Sequence, residues 1–262
     1  MKSEIERVWK EPIVWDGSVE TKPLEPLMDA KDITLLQNRM YPVIYRGAAG
    51  VGKTRSLLDW GLLNGYNVYI QECSSDMVAS DLTGKWGLKG GETVYLMGET
   101  ASALQASNES KKVLLLFDEI NLLPQVVLKG IGSVFDFRLS INTDLGRIEG
   151  NEENIVIAGT MNSEVDSGGY DLDPALRSRC IVCDVKYEEM FRKICKLEGF
   201  DERWSKLMIG TRGLFSLREL EQIAQLTNVC KFTIEEAFSY ILMKYPEQDR
   251  DIIKNQREVV GI

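Results

Sequence analysis

Eight residues, GAAGVGKT at 47 to 54, restrict the fold more than any other stretch of the 262-residue chain. Closely spaced glycines let the backbone turn so that successive N–H groups point inward at an anion, and a lysine and a hydroxyl follow at fixed spacing. The pattern G-x-x-x-x-G-K-[ST] does its work between a strand and a helix, because the helix N-terminus adds its partial positive charge to whatever the loop holds. Both neighbours are present: YPVIYR at 41 to 46 is a short β-rich run, and TRSLLDWGLL at 54 to 63 has a helical pattern. The loop therefore predicts a phosphate cradle formed by Gly47, Ala48, Ala49, Gly50, Val51 and Gly52. Lys53 is placed to reach the β- and γ-phosphates and the Thr54 hydroxyl to bind Mg²⁺, so ATP with Mg²⁺ is the expected ligand.

Four further runs, NVYIQE (67–72), KVLLLFDE (112–119), NIVIAGT (154–160) and IVCDV (181–185), are nearly continuous in apolar residues. Such runs suit strands buried on both faces of a parallel sheet, with helices in the connections. From about Tyr187 the strand signals stop and helical patterns follow, YEEMFRKICKLEGF, SLRELEQIAQLTNV and TIEEAFSYILMKY, with capping boxes at Ser216/Glu219 and Thr233/Glu236. The expected architecture is an α/β domain over 1–186 and a small α-helical domain over 187–262.

LLLFDE ends an apolar strand in two carboxylates, and strand alternation would point them in opposite directions. Asp118 is the candidate for the Mg²⁺ shell and Glu119 for polarising an attacking water. Asn162, at the end of NIVIAGTMN, could hydrogen-bond both that water and the γ-phosphate; the same position equally suits a turn-capping Asn.

Composition removes several other chemistries. The chain has no histidine, which excludes Ser-His-Asp hydrolysis and HExxH zinc sites. Its five cysteines are odd in number and scattered, as expected of a reducing cytoplasm, and the CxxC at Cys180/Cys183 has no second pair to complete a zinc site. A net charge of −9 argues against a surface built to attract nucleic acid. No stretch suits a signal peptide or a membrane span, so a cytoplasmic protein is expected.

The order of motifs, GAAGVGKT, FDE, TMN, DPALRSRC and then a helical region with SLREL, resembles the AAA+ ATPases over about residues 35 to 225. ASDLTGKWGLKGGETVYLMGETASAL at 79 to 104 resembles the helix-2 insert of the MoxR, dynein-related branch, which includes ATPases that activate Rubisco or nitric oxide reductase and a gas-vesicle ATPase. The resemblance implies a P-loop core with a helical lid, and a homo-oligomeric, hexameric ring that hydrolyses ATP to remodel a client protein, commonly through an adaptor with a von Willebrand factor A domain. It implies that Arg179 is an arginine finger reaching a neighbouring subunit's γ-phosphate, that Arg177 assists, and that Arg218 senses the γ-phosphate in cis. Read without the resemblance, Arg177 and Arg179 would be surface salt-bridge residues.

Between about 84 and 98 the insert alternates around Gly90-Gly91 as a hairpin would, and a second hairpin is expected at about 138–153 with its turn at Asp144-Leu145-Gly146. Trp86 and Tyr95 either grip a client or pack the hairpin onto its own domain. Two rival functions remain: a nucleic-acid-dependent ATPase of the clamp-loader or helicase kind, supported by Ser178-Arg179-Cys180, Lys85 and Lys89, and a nucleotide-gated scaffold with negligible turnover.

Overall fold

All five apolar runs are strands of one sheet. In the computed structural model, which describes residues 5–17, 30–39, 41–109, 111–162, 172–185, 187–197, 200–211 and 214–262, they are β2 (Val43–Gly47), β3 (Asn67–Glu72), β6 (Val113–Asp118), β9 (Ile155–Asn162) and β10 (Ile181–Asp184). The sheet is parallel, in the order β10-β2-β9-β6-β3. Central β6 explains why its sequence does not alternate: Val113 to Phe117 are each buried, because both faces of the sheet are covered. Parallel strands bring their C-terminal ends to one edge, and there β6 and β9 run in register up to Phe117 opposite Gly159.

Contacts divide the chain into two compact units, residues 1–46 with 54–184, and residues 47–53 with 185–262. In the first, helices α1 (Ala30–Asn38), α2 (Lys53–Leu63), α3 (Ala79–Thr83), α4 (Glu99–Ser107), α5 (Gln125–Gly130) and α6 (Pro174–Arg177) connect the strands. Its core includes Tyr69, Leu82, Leu104, Leu115, Phe117, Val134 and Ile157, all at most 7% exposed, and each fully buried aliphatic or aromatic side chain contributes about 1.5–3 kcal/mol.

Both expected hairpins form. Strands β4 (Gly84–Lys89) and β5 (Glu92–Met97) pair antiparallel around Gly90-Gly91, whose φ values of 61° and 88° are those a two-residue turn of this hand requires. Strands β7 (Ser140–Thr143) and β8 (Gly146–Glu149) pair around Asp144-Leu145. The first hairpin gains a third strand that its own sequence did not announce, because β1 (Arg7–Val8) pairs parallel with β5. Ile13 then bridges to Val68 on the outer side of β3. The charged N-terminal stretch hides this role because two paired residues leave no periodicity to read.

The hairpins hold each other. Trp86 Nε1 donates to Asp144 Oδ2 at 3.1 Å, Asp144 N–H donates to Tyr95 Oη at 3.4 Å, and Trp86 stands edge-on to Tyr95 with ring centroids 5.1 Å apart. Tyr95 is fully buried and spends its hydroxyl on Gly84 O, whereas Trp86 is 47% exposed and Leu88 78%. Tyr95 is thus packing, and Trp86 retains a face for contact.

The second unit contains α7 (Tyr187–Leu197), α8 (Glu202–Gly210), α9 (Leu217–Asn228), α10 (Ile234–Leu242) and α11 (Glu247–Val260). Residues 198 and 199, at the end of the first expected helical run, lie outside the described residues. Trp204, Phe215 and Phe238 pack against one another in its centre, each at most 3% exposed. At the start of α9 the Glu219 carboxylate accepts from Ser216 N–H, from Ser216 Oγ and from Lys244 Nζ.

Burial pushes the Glu219 carboxyl up, but the bonds from Lys244 and Ser216 outweigh it and hold the group below its ordinary value. A carboxylate lowered on folding adds stability above its unfolded pKa, about 4.3, and that stability disappears as pH falls through the folded value. Denaturant unfolding followed by far-UV circular dichroism from pH 7 to 3 is therefore expected to show a loss below about pH 4.3. Lys244→Met, which leaves Glu219 buried without its partner, should lower stability at pH 7 and shrink that acid loss, because the folded pKa then rises toward the unfolded one.

Candidate active site

The loop 48–52 has the shape its glycines permit. Gly50 has φ 71° and Gly52 has φ 82°. A Cβ on Gly50 would lie 2.6 Å from Ser216 Oγ, so this position tolerates no side chain on two independent grounds. Lys53 begins α2 and is 8% exposed; its Nζ donates back to Gly47 O at 3.0 Å and Ala48 O at 2.7 Å. The ammonium thus closes its own loop, and phosphate oxygens are the stronger acceptors it would exchange those carbonyls for. Val51 is fully buried, and among the loop residues it supplies packing.

At the sheet edge a second cluster forms. Thr54 Oγ1 donates to Asp118 Oδ1 at 2.5 Å, and Thr160 Oγ1 donates to the same oxygen at 2.5 Å. Asn162 Nδ2 donates to Glu119 Oε1 at 2.9 Å. Asp118 is the last residue of β6, and Glu119 has left the strand, with φ 55° and ψ 47° in the left-handed region. The two carboxylates are separated by this turn and not by strand alternation, which corrects the mechanism the sequence suggested while keeping the two acids distinct.

Together the two carboxylates make a negative field. Burial pushes the Cys73 thiol up, and the charges of Asp118 and Glu119 add to the shift. A hard cation suits this field, and hydroxyl and carboxylate oxygens from Thr54 and Asp118 are the donors Mg²⁺ takes.

Arg177 and Arg179, two residues apart, line different cavities. α6 starts with Asp173 as its N-cap, accepting from Ala175 N–H at 2.9 Å, and with Pro174 in the first helical position. Arg179, just beyond the helix, faces a cavity of about 410 Å³ shared with Arg39, Tyr41, Asp136 and Phe137. Its Nε lies 3.4 Å from Asp136 Oδ2, and its side chain is 34% exposed. Asp136 is held below the usual carboxylate range chiefly by Arg138, with burial opposing and Arg179 a smaller contributor. Arg177 lines a separate cavity of about 310 Å³ with Arg46 and Cys180. Arg46, which precedes the phosphate loop, is bound bidentately by Asp184, at 2.6 and 2.9 Å. Arg218 is exposed on the first turn of α9.

The sequence reading missed Thr160, Ser216 as a wall behind Gly50, and Asp136 beside Arg179. The hydroxyl in an otherwise apolar strand was the available signal for Thr160; Ser216 and Asp136 carry none.

A family model described as "AAA domain (dynein-related subfamily)" matches residues 42–180. Protein NorQ of Paracoccus denitrificans is 39% identical over 64 residues, 24% of this chain and 24% of that protein, so the match spans about a quarter of the relative's length. Among solved structures, an ATPase described as putative from Cytophaga hutchinsonii aligns with TM-score 0.46 and 14% identity, over 81% of this chain and 69% of that one. A mutant RuvB of Thermotoga maritima aligns with TM-score 0.45 and 18% identity, over 88% and 69%.

Gly50→Ala is expected to fail at the loop. The left-handed backbone costs on the order of 1–2 kcal/mol for a residue with a Cβ, before the clash with Ser216. Expressed in binding, that is about tenfold in nucleotide affinity, which titration of a fluorescent ATP analogue will measure.

Proposed function

Because the chain belongs to the dynein-related subfamily of AAA domains, we propose that it hydrolyses ATP within a ring of its own copies and uses the cycle to remodel or activate a partner protein. The observation that carries this reading is the sheet-edge pair: Asp118 bonded to the Thr54 hydroxyl, and Glu119 bonded to the Asn162 amide. Bound ATP with Mg²⁺ supplies the transferable phosphoryl group and neutralises the charge that develops in its transfer. Loop N–H groups from Gly47 to Thr54 hold the phosphates, and Lys53 turns its ammonium from its own carbonyls to phosphate oxygens. Thr54 and Asp118 provide oxygens to the cation. Glu119 accepts a proton from the attacking water on its carboxylate, while Asn162 fixes the direction of that carboxylate. Arg218 reads the γ-phosphate in cis.

Arg179 acts in trans. Its support is its loose tether: 3.4 Å contacts to the Ala175 carbonyl and to an Asp136 already committed to Arg138, beside a cavity rimmed by Tyr41, 51% exposed, and Phe137, 91% exposed. A guanidinium held this way is free to exchange Asp136 for a neighbour's phosphate, and the apolar rim suits a covering copy of the chain. Arg177, in its own cavity with Arg46, braces that face. On this reading residues 1–186 are the nucleotide-binding domain, 187–262 the lid, the ring is a hexamer, and the joined hairpins present Trp86 and Leu88 to a client or to an adaptor with a von Willebrand factor A domain. The two lysines that would favour a nucleic-acid motor support it weakly, since Lys89 is paired with Glu6 at 2.9 Å and Lys85 lies 3.7 Å from Asp81. None of the described helices is long and apolar enough to cross a membrane.

Two measurements test the reading. Glu119→Gln should bind ATP and assemble with it while its turnover falls by about 100-fold or more, as loss of a general base does; parent-like turnover, or monomers only in saturating ATP, would sink it. Lys53→Ala and Arg179→Ala should each be inactive alone and regain activity when mixed, because mixed rings contain interfaces with one intact site and one intact finger. No regain would place Arg179 in cis or in a structural role.

A further inference from the structure

Thr160 sits two residues before Asn162, in a strand whose other residues from Ile155 to Met161 are Gly or apolar. Its side chain is buried at 1% exposure, and its hydroxyl is used in both senses. It donates to Asp118 Oδ1 at 2.5 Å and accepts from the Glu119 N–H at 3.0 Å. A hydroxyl has a single proton, so the donation to Asp118 leaves the lone pairs for Glu119, and the two bonds fix the rotamer between them. Both partners belong to the adjacent strand end, and both are the residues assigned to hydrolysis. A threonine serving only the strand would bond its own backbone or a neighbour's ladder groups.

Glu119 needs such a partner. Its left-handed backbone is one that side chains other than Asn and Asp seldom adopt, and its N–H, just past the last strand residue of β6, goes to the Thr160 hydroxyl. Thr160 is delivered there by register: Phe117 pairs with Gly159, so the next residue of β9 stands beside the last residue of β6. Meanwhile Asp118 Oδ1 receives Thr54 and Thr160 together, which fixes the plane of its carboxylate before any ligand arrives.

We infer that Thr160 is a positioning residue for the hydrolytic site: one buried hydroxyl holds the Asp118 carboxylate and the Glu119 turn in the relation that keeps cation binding and water activation on separate acids. The inference rests on the hydrolytic reading of those two carboxylates. It separates from general packing because Val fills the same volume without the hydroxyl, while Ser keeps the hydroxyl and loses a methyl. Loop contacts to phosphate do not pass through Thr160, so nucleotide binding in the absence of Mg²⁺ should survive its loss.

The test uses the full chain with Thr160→Val and Thr160→Ser, measuring thermal unfolding, ATP affinity with and without Mg²⁺, kcat and KM. Thr160→Val is expected to keep its Mg²⁺-free affinity and lose about 100-fold in kcat, the scale of a misplaced catalytic group. Its gain in affinity on adding Mg²⁺ should shrink, and Thr160→Ser should recover most of both. Parent-like kcat in Thr160→Val, or a Ser variant as slow as the Val variant, overturns the inference. So does a Val variant that loses its Mg²⁺-free binding and its thermal transition together with its turnover, which marks a role in folding alone. A parent chain that binds no ATP overturns the proposed function instead, and a crystal structure of Thr160→Val then decides the geometry. Retained positive φ at Glu119 with an unmoved Asp118 would refute the positioning role, and relaxation of both would support it.

Discussion

One carboxylate oxygen, Asp118 Oδ1, accepts hydroxyls from Thr54 and Thr160 at once, and the chemistry proposed for this chain hangs on that junction. It joins the start of α2, the end of β6 and the end of β9. A parallel sheet makes the meeting possible because strands running the same way finish at the same edge, where helices begin and backbone groups are unpaired. An antiparallel arrangement of the same sequences would send the β9 hydroxyl to the opposite end. Continuous burial of β6 is a source of stability and also holds the strand whose last residue is Asp118 in a close-packed frame.

The polar groups around this junction differ in how firmly they are held. Thr160 and Lys53 are buried and use their donors within the chain, and Glu119 is bridged by Asn162. Arg179 and Arg218 are the opposite: one has long contacts to Asp136, an acid shared with Arg138, and to the Ala175 carbonyl, both at 3.4 Å, and the other is exposed. A well-paired buried charge costs several kcal/mol to release, so the loosely held, exposed guanidinium groups are the ones that exchange partners most readily. The same contrast appears in the hairpins, where Tyr95 is locked and its edge-on partner Trp86 stays half in solvent.

Much of this was legible because the periodicities are strong. GAAGVGKT between a strand and a helix, five apolar runs of strand length, and Gly90-Gly91 between alternating arms each have one inexpensive structural solution, and the chain adopts it. Where the reading fell short, the missing information was long-range. Nothing in Arg7-Val8 signals that it will extend the β4–β5 sheet, since pairing depends on a partner almost ninety residues away. Alternation along LLLFDE was the wrong reason for separating Asp118 from Glu119, because the strand stops between them and a left-handed residue takes over. That turn is sustained by a hydroxyl forty-one residues on, beyond the range of any local pattern.

Local chemistry in the sequence determined the glycine-rich turn between a strand and a helix, the five strands of the parallel sheet and the absence of histidine chemistry, because each depends on residue type and near-neighbour spacing alone. Tertiary packing settled the rest: that strand register brings Thr160 to both acids, that Ser216 closes against Gly50, and that Arg177 and Arg179, two residues apart in the chain, look into different cavities. These are distances between side chains far apart in sequence, and only packing of the completed chain assigns them.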